Sequence, residues 1–365
     1  MASTIRIRDV ASALGIVAAC AACADANSTA HGSDSTSGSG VGTSHATLSE
    51  SGSTSSASTG TTSDDDLSST SQHSGESAET SSSTGGADVP GGPCAGYREV
   101  RVEVSVNEQG DLPALEGVEC IQGLLRVLSD ERGRPINDLE DLYALSEVGG
   151  LTMSGLPALV DVDGLSGLHT IHDLLTIGYQ APGVDQCTFN PVLANLDGLS
   201  SVAHIGGDID ICGALQDSLT SIDGLDAALE GEISGAIRLQ QLQLLQGVGP
   251  LTGVTRIGSL ILNELPAFVD LTALSDVEGA ANLLIRETAV TDLAGLEALA
   301  TIDSRLTITR NSQLTTLAGL DALVGTDELI ISDNPLLPQA EAEAFAESVT
   351  ANYVAICGNL DGPPC

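Results

Sequence analysis

The stretch Leu306-Thr-Ile-Thr-Arg-Asn-Ser-Gln-Leu-Thr-Thr-Leu-Ala-Gly-Leu-Asp-Ala-Leu323 carries two periodicities in a row. Leu306 and Ile308 alternate with Thr307, which is the pattern of a short strand with one face buried. From Asn311 onward the spacing changes to three, through Leu314, Leu317, Leu320 and Leu323. Neither a helix, with its period of 3.6, nor a strand, with its period of 2, produces a run of threes. The phrase therefore predicts a strand followed by a turning segment that keeps one side against a core.

The same phrase recurs on both sides of this stretch. Units begin at Leu151-Thr-Met153, Leu175-Thr-Ile177, Ile209-Asp-Ile211, Ile237-Arg-Leu239, Leu260-Ile-Leu262, Leu283-Leu-Ile285 and Leu329-Ile-Ile331. Most starts lie 22 to 28 residues apart, and the step from Leu175 to Ile209 is longer by about ten. A period of this size is that of a solenoid, in which no unit buries its apolar face alone and stacked units share one core. The fold class expected is mostly β, with the strands stacked as a parallel sheet. Gly precedes Leu at Gly164, Gly198, Gly224, Gly295 and Gly319, where a tight backbone turn is expected. Asn follows the strand only at Asn311 and Asn334; Leu156, Gln180, Ala214, Leu242, Leu265 and Thr288 take that place in the other units. A continuous asparagine ladder is therefore not expected.

Composition divides the chain into three parts: 1–19, 20–93 and 94–365. The first joins Arg6 and Arg8 to the apolar run Val10-Ala-Ser-Ala-Leu-Gly-Ile-Val-Ala-Ala19, the order of an export signal and too short to span a bilayer. Val17-Ala-Ala-Cys20 resembles the lipobox of bacterial lipoproteins, in which the Cys is acylated. That resemblance implies a lipid anchor on Cys20 and residence at the cell envelope, in the outer membrane. Cleavage after Ala24-Asp-Ala26 instead would release a secreted protein. Residues 20–93 are dominated by Ser, Thr and Gly and cannot bury enough apolar area to offset ordering entropy, so a disordered tether is expected. Flexible chain of about 70 residues spans roughly 40–50 Å.

Net charge is -38, with no Lys, and from Cys94 on forty acids face ten Arg. Such a surface repels phosphate backbones and excludes nucleic acid as a partner. Aromatic residues are 2% of the chain, so the core must be aliphatic. Beyond the signal, six cysteines remain, an even number in an exported chain. Six allow fifteen connectivities; the spacing groups them as Cys94–Cys120, Cys187–Cys212 and Cys357–Cys365.

The phrase from Leu306 to Leu323, and Leu329-Ile-Ile-Ser-Asp-Asn-Pro-Leu-Leu337 after it, resemble the receptor L-domain family. The resemblance covers about residues 120–337. It implies a right-handed, leucine-rich β-helix that binds or adheres through a sheet face and performs no chemistry. Ends of such a stack need covering. Residues 96–128 are expected to close the first coil. Residues 338–349, with Pro338 at the start of a helix, are expected to cap the last one through Phe345 and Val349.

No motif for nucleophilic, redox or phosphate chemistry stands in a supporting context, and neither a cofactor nor a metal is expected. His169, His172 and His204, with Asp173 or Asp208, could reach a metal only if clustered; an exposed, unconnected set is the expectation. The Asp-Gly-Leu turns at Asp163, Asp197 and Asp223 lack a calcium loop. The outward face of the strands is more informative. Its middle column should be Thr152, Thr176, Asp210, Arg238, Ile261, Leu284, Thr307 and Ile330. The next column should be Ser154, Gly178, Cys212, Gln240, Asn263, Arg286, Thr309 and Ser332. Ile261 beside Leu284, flanked by Arg238 and Arg286, is the candidate binding patch. Cys187 would pin the insertion from Tyr179 to Asn190 over this face. The expected function is a non-catalytic, envelope-anchored binding or adhesion protein for a protein or glycan ligand. The alternatives are a structural surface protein without a ligand, or an enzyme with an unrecognised site.

Overall fold

The computed structural model describes residues 94–97, 100–129, 133–180, 187–188, 190–213, 218–229, 232–249, 251 and 253–365. The export signal, Cys20, the tether and Ala214 lie outside these residues.

The strands are β1 (Val100–Arg101), β2 (Val104–Val106), β3 (Cys120–Leu128), β4 (Glu147–Ser154), β5 (Thr170–Ile171), β6 (Leu175–Ile177), β7 (Tyr179–Gln180) and β8 (Cys187–Thr188). They continue as β9 (His204–Ile205), β10 (Ile209–Cys212), β11 (Glu232–Gln240), β12 (Arg256–Leu265), β13 (Gly279–Thr288), β14 (Thr301–Thr309), β15 (Gly325–Ser332) and β16 (Thr350–Cys357), with helix α1 (Gln339–Ser348) before the last. All but β7 and β8 belong to one 14-stranded sheet. Its neighbours are parallel and follow chain order, for example β12 on β13 and β13 on β14. A parallel neighbour that is next in sequence requires the chain to return a full circuit between strands. The molecule is thus a mostly β stack of coils.

Each coil buries what the two periodicities mark. In the coil starting at Leu260, Leu262, Leu265, Phe268, Leu271, Leu274 and Val277 are at most 3% exposed. Short 3-10 turns at Asp163–Leu165, Asp197–Leu199, Asp223–Leu229 and Thr272–Leu274 account for part of the run of threes, because that helix has three residues per turn. Each buried Leu contributes about 1.5–3 kcal/mol, so the stack is held chiefly by aliphatic contact between coils.

The recurring glycines stand at tight turns, as expected, but a closer constraint selects them. A Cβ on Gly164, Gly198, Gly224, Gly295 or Gly319 would lie 1.9 to 2.1 Å from a carbonyl oxygen of the preceding coil. Only Gly295 and Gly319 have positive φ, at 106° and 109°. Close approach of one coil to the next selects Gly at all five.

The asparagine ladder is also more extensive than expected. Asn311, Asn334 and Asn359 stack as consecutive rungs. The amide oxygens of Asn334 and Asn359 accept from the backbone N–H of Asn311 and Asn334 at 2.9 and 3.2 Å. Their Nδ2 groups donate to the carbonyls of Ile308 and Ile331 at 3.0 and 3.1 Å. The rung above ends on Thr288, whose N–H and Oγ1 both donate to Asn311 Oδ1. In the fourth strand-bearing coil the position belongs to Asn190 and not to Gln180. Asn190 Oδ1 accepts from Leu156 N–H at 3.0 Å, and its Nδ2 donates to Met153 O at 3.2 Å. The insertion lies between strand and rung, so counting from Leu175 lands ten residues early. Gln180 pairs with Cys187 in the antiparallel hairpin β7–β8.

Both presumed covers are coils in their own right. Val104, Ser105 and Val106 pair with Leu125, Arg126 and Val127, which pair with Leu151, Thr152 and Met153. At the other end α1 occupies the return half of the last coil, with Ala342 fully buried and Val349 7% exposed. Phe345 packs against the core edge, and β16 then adds a further strand. Three disulfides join Cys94 to Cys120, Cys187 to Cys212 and Cys357 to Cys365. They mark a chain that folds in an oxidising compartment, as exported proteins do. Among the described residues no helix is long and apolar enough to cross a membrane.

Candidate functional site

The outward face is ruled by register. Asp210, Arg238, Ile261, Leu284, Thr307 and Ile330 stand side by side on β10 to β15. Neighbouring strands lie about 4.8 Å apart, so these side chains form one contiguous row. Every one of them is half-buried, shielded by its neighbours in the row. The second row runs through Cys212, Gln240, Asn263, Arg286, Thr309 and Ser332. Ile261 and Leu284 are therefore adjacent, with Arg238 beside Ile261 and Arg286 two residues along the strand from Leu284.

The arginines do not make this patch basic. Arg238 Nη1 donates to Asp208 Oδ2 at 2.8 Å, and Arg286 Nη2 to Glu287 Oε1 at 3.0 Å. Arg305 and Arg310 likewise pair with Glu328 and Glu287. The face offers aliphatic surface set in neutralised charge.

The hairpin divides the face. Ser154, Gly178 and Cys212, expected to point to solvent, are buried instead. Ser154 Oγ donates to the Thr188 carbonyl at 3.0 Å, and the Cys187–Cys212 bridge holds β8 against β10. Cys187 N–H also donates to Gln241 Oε1 at 3.3 Å. From Gln240 onward the second row is half-open, so the hairpin stands as a wall at one end of an open shelf.

At the foot of that wall lies Asp210. Its Oδ1 is buried and has no hydrogen-bond partner. Burial pushes its carboxyl above the ordinary range, against the opposing pull of Arg238 and a hydrogen bond with Gln240. Asp208 is held below the ordinary range: burial raises it, but the Ala236 N–H and Arg238 outweigh that. Asn263 Oδ1, two strands away, is a second buried acceptor without a partner. Unsatisfied acceptors of this kind are rare in folded proteins and mark places where a donor can be received. Both residues stand in the outward columns read from the sequence. Nothing in the residue types alone distinguishes them from their satisfied neighbours.

Other candidates fare less well. His172 Nε2 meets Glu147 Oε2 at 3.0 Å, and the Tyr97 hydroxyl donates to Glu147 Oε1 at 2.9 Å. His172 is therefore engaged with Glu147, while His169 turns onto its own Gly167 carbonyl, and both stay exposed, as does His204. No three His, Cys, Asp or Glu side chains among the described residues could hold a metal ion. The Asp-Gly-Leu carboxylates open 3-10 turns.

A crevice of about 410 Å³, lined by Gly247, Val248, Gly249, Leu251, Asp270, Thr272, Ala273, Ser275 and Asp276, opens on the turn side of the stack. Its sequence signal is Ala273, which stands where other coils have Gly before Leu. Asp270 in its wall is spent on a turn, accepting from Thr272 N–H at 2.8 Å and Thr272 Oγ1 at 2.6 Å. Those two bonds hold its carboxyl below the ordinary range. Comparison of the chain with known family models and with curated proteins finds no match in either.

Proposed function

We propose that this protein is a non-catalytic, envelope-anchored binding or adhesion protein that presents the open shelf of its sheet to a protein or glycan ligand. The observation that carries this reading is the row Asp210–Arg238–Ile261–Leu284. It joins adjacent aliphatic side chains to a buried carboxylate oxygen with no partner, beside a disulfide-pinned wall. Aliphatic surface supplies affinity, and an unpartnered acceptor favours ligands that bring an N–H or O–H to it. We read the coils as a right-handed, leucine-rich solenoid of the receptor L-domain kind. Residues 20–93 are read as a tether, with Cys20 as the acylated anchor that holds the stack at the outer membrane.

The test is capture of ligand from envelope extracts by the intact chain and by its Ile261→Ser, Leu284→Ser double variant. Retained melting behaviour with loss of at least ten-fold in captured ligand is the expected result, since each truncation at a buried contact costs about 1–2 kcal/mol. Equal capture by both proteins would place the ligand elsewhere. Loss of the fold would show the two side chains to be core.

A further inference from the structure

The sheet ends differently on its two sides. On the first side the edge is broken into β1 and β2, of two and three residues, with Arg101 and Glu103 between their apolar positions. Short, interrupted, charged edges resist pairing with other chains. The last strand, β16, has none of these protections. Its eight residues, Thr350-Ala-Asn-Tyr-Val-Ala-Ile-Cys357, contain no charge, no Pro and no Gly. It runs along β15 in a single register from Thr350 to Cys357, so no bulge twists it away. Among the described residues no strand pairs with its other side.

The core beneath this strand is incompletely covered as well. Leu329 and Ile331 on β15 are fully buried. Val354 and Ile356, their partners on β16, are only partly buried, as are Phe345 and Ala346 of α1. Tyr353, on the outward face of the same strand, is 47% exposed. An open hydrogen-bonding edge and an apolar margin thus coincide at one end of the stack.

We propose that β16 pairs antiparallel with β16 of a second copy of this chain, about a two-fold axis, so that the two sheets become one. The strand's lack of charge is what admits its own copy as the occupant. The protein carries -38, and two copies brought together almost anywhere else would oppose like charges. Across an antiparallel pair of this strand every opposing residue is uncharged, whatever the register. The two-fold arrangement uses one surface on both copies and closes after two, where pairing of β16 with the broken first edge would build an open filament. Glu343 and Glu347 of α1 lie at the same end and set a repulsion that salt must screen. A single strand pair with its margin falls below the roughly 1,200 Å² of stable interfaces, so the dimer is weak and exchanges with monomer. This inference stands independently of the ligand reading above.

Sedimentation equilibrium of the intact chain, from about 1 to about 500 µM, tests it. A monomer–dimer equilibrium that tightens between about 0.05 and about 0.5 M NaCl is expected. The Tyr353→Glu, Ala355→Glu double variant should weaken it at least ten-fold while melting as the parent does. If that variant does not fold, hydrogen exchange on the parent decides: amides of residues 350–357 should exchange more slowly as concentration rises, and those of β1 and β2 should not. The proposal is overturned by a monomer at every concentration, or by a dimer that survives both glutamates. Association that weakens with salt, open-ended growth, or exchange in β16 that ignores concentration would overturn it equally.

Discussion

At the scale of single residues, Asp210 and Asp208 show how one arginine divides between two carboxylates. Arg238 gives its close contact to Asp208, at 2.8 Å, and Asp210 keeps a hydrogen bond with Gln240 while its Oδ1 stays buried and unpartnered. Burial therefore dominates at Asp210 and raises its carboxyl. A raised folded-state value means the folded chain binds the proton more tightly than the unfolded chain. Stability then falls as pH rises from the ordinary aspartate value through the folded one, and the full penalty is present at neutral pH. Asp210→Asn keeps the shape and removes the charge. It should melt higher than the parent at pH 7, by differential scanning calorimetry. The gain should vanish below about pH 3.9, where the parent carboxyl is protonated in both states. A variant that melts lower at neutral pH would show that the charge is compensated by a contact to Arg238 stronger than burial.

Among elements, the hairpin β7–β8 and the C-terminal tail are both fastened by disulfides, but over loops of different length. Cys187 and Cys212 are 25 residues apart, Cys357 and Cys365 only 8. Loop-closure entropy makes removal of the longer loop's bridge the costlier by about 1 kcal/mol. Paired Cys→Ser variants compared by urea unfolding should show this order, with the Cys187/Cys212 variant also exposing Ser154. The reverse order would mean that the tail's contacts, such as Leu360 N–H to Leu337 O at 2.8 Å, depend on their bridge. The elements that the sequence revealed are those where an alternating pair of aliphatic residues leads into threes, as at Leu260 and Leu306. β16 was hidden because Val354-Ala-Ile356 leads into Cys-Gly-Asn with no threes after it. β2 and β3 carry the pattern but lie where an end cover was expected. The two further ladder residues escape the pattern for different reasons. An insertion moves Asn190 ten residues from its expected place, and Asn359 follows β16, whose sequence has no run of threes after it. Register, once the strands are aligned, does the rest: the columns through Ile261 and Leu284 are legible because side chains alternate across each apolar-x-apolar stretch. The burial of Ser154 and Cys212 was not, since it depends on how far the hairpin folds back.

For the molecule as a whole the governing quantity is charge. Six arginines among the described residues are paired with acids, at Arg126, Arg238, Arg256, Arg286, Arg305 and Arg310. These pairs are partly exposed, and such pairs contribute only about 0–1 kcal/mol each. Against them stand forty acids to ten Arg from Cys94 on. Added salt weakens both the pairs and the repulsion. With four acids for every arginine, the repulsion is the larger sum. The melting temperature of the intact chain at pH 7 should therefore rise by several degrees between about 0.05 and about 0.5 M NaCl. The measurement belongs at low micromolar concentration, where pairing through β16 is not populated and cannot add its own stabilisation. A melting temperature that falls with salt would mean that the arginine pairs outweigh the surplus. The acidic exterior would then be held together by its few cations and not strained by its many anions. The dimer should respond to salt in the same direction for the same reason, so a stack stabilised by salt that nevertheless fails to associate would separate the two effects.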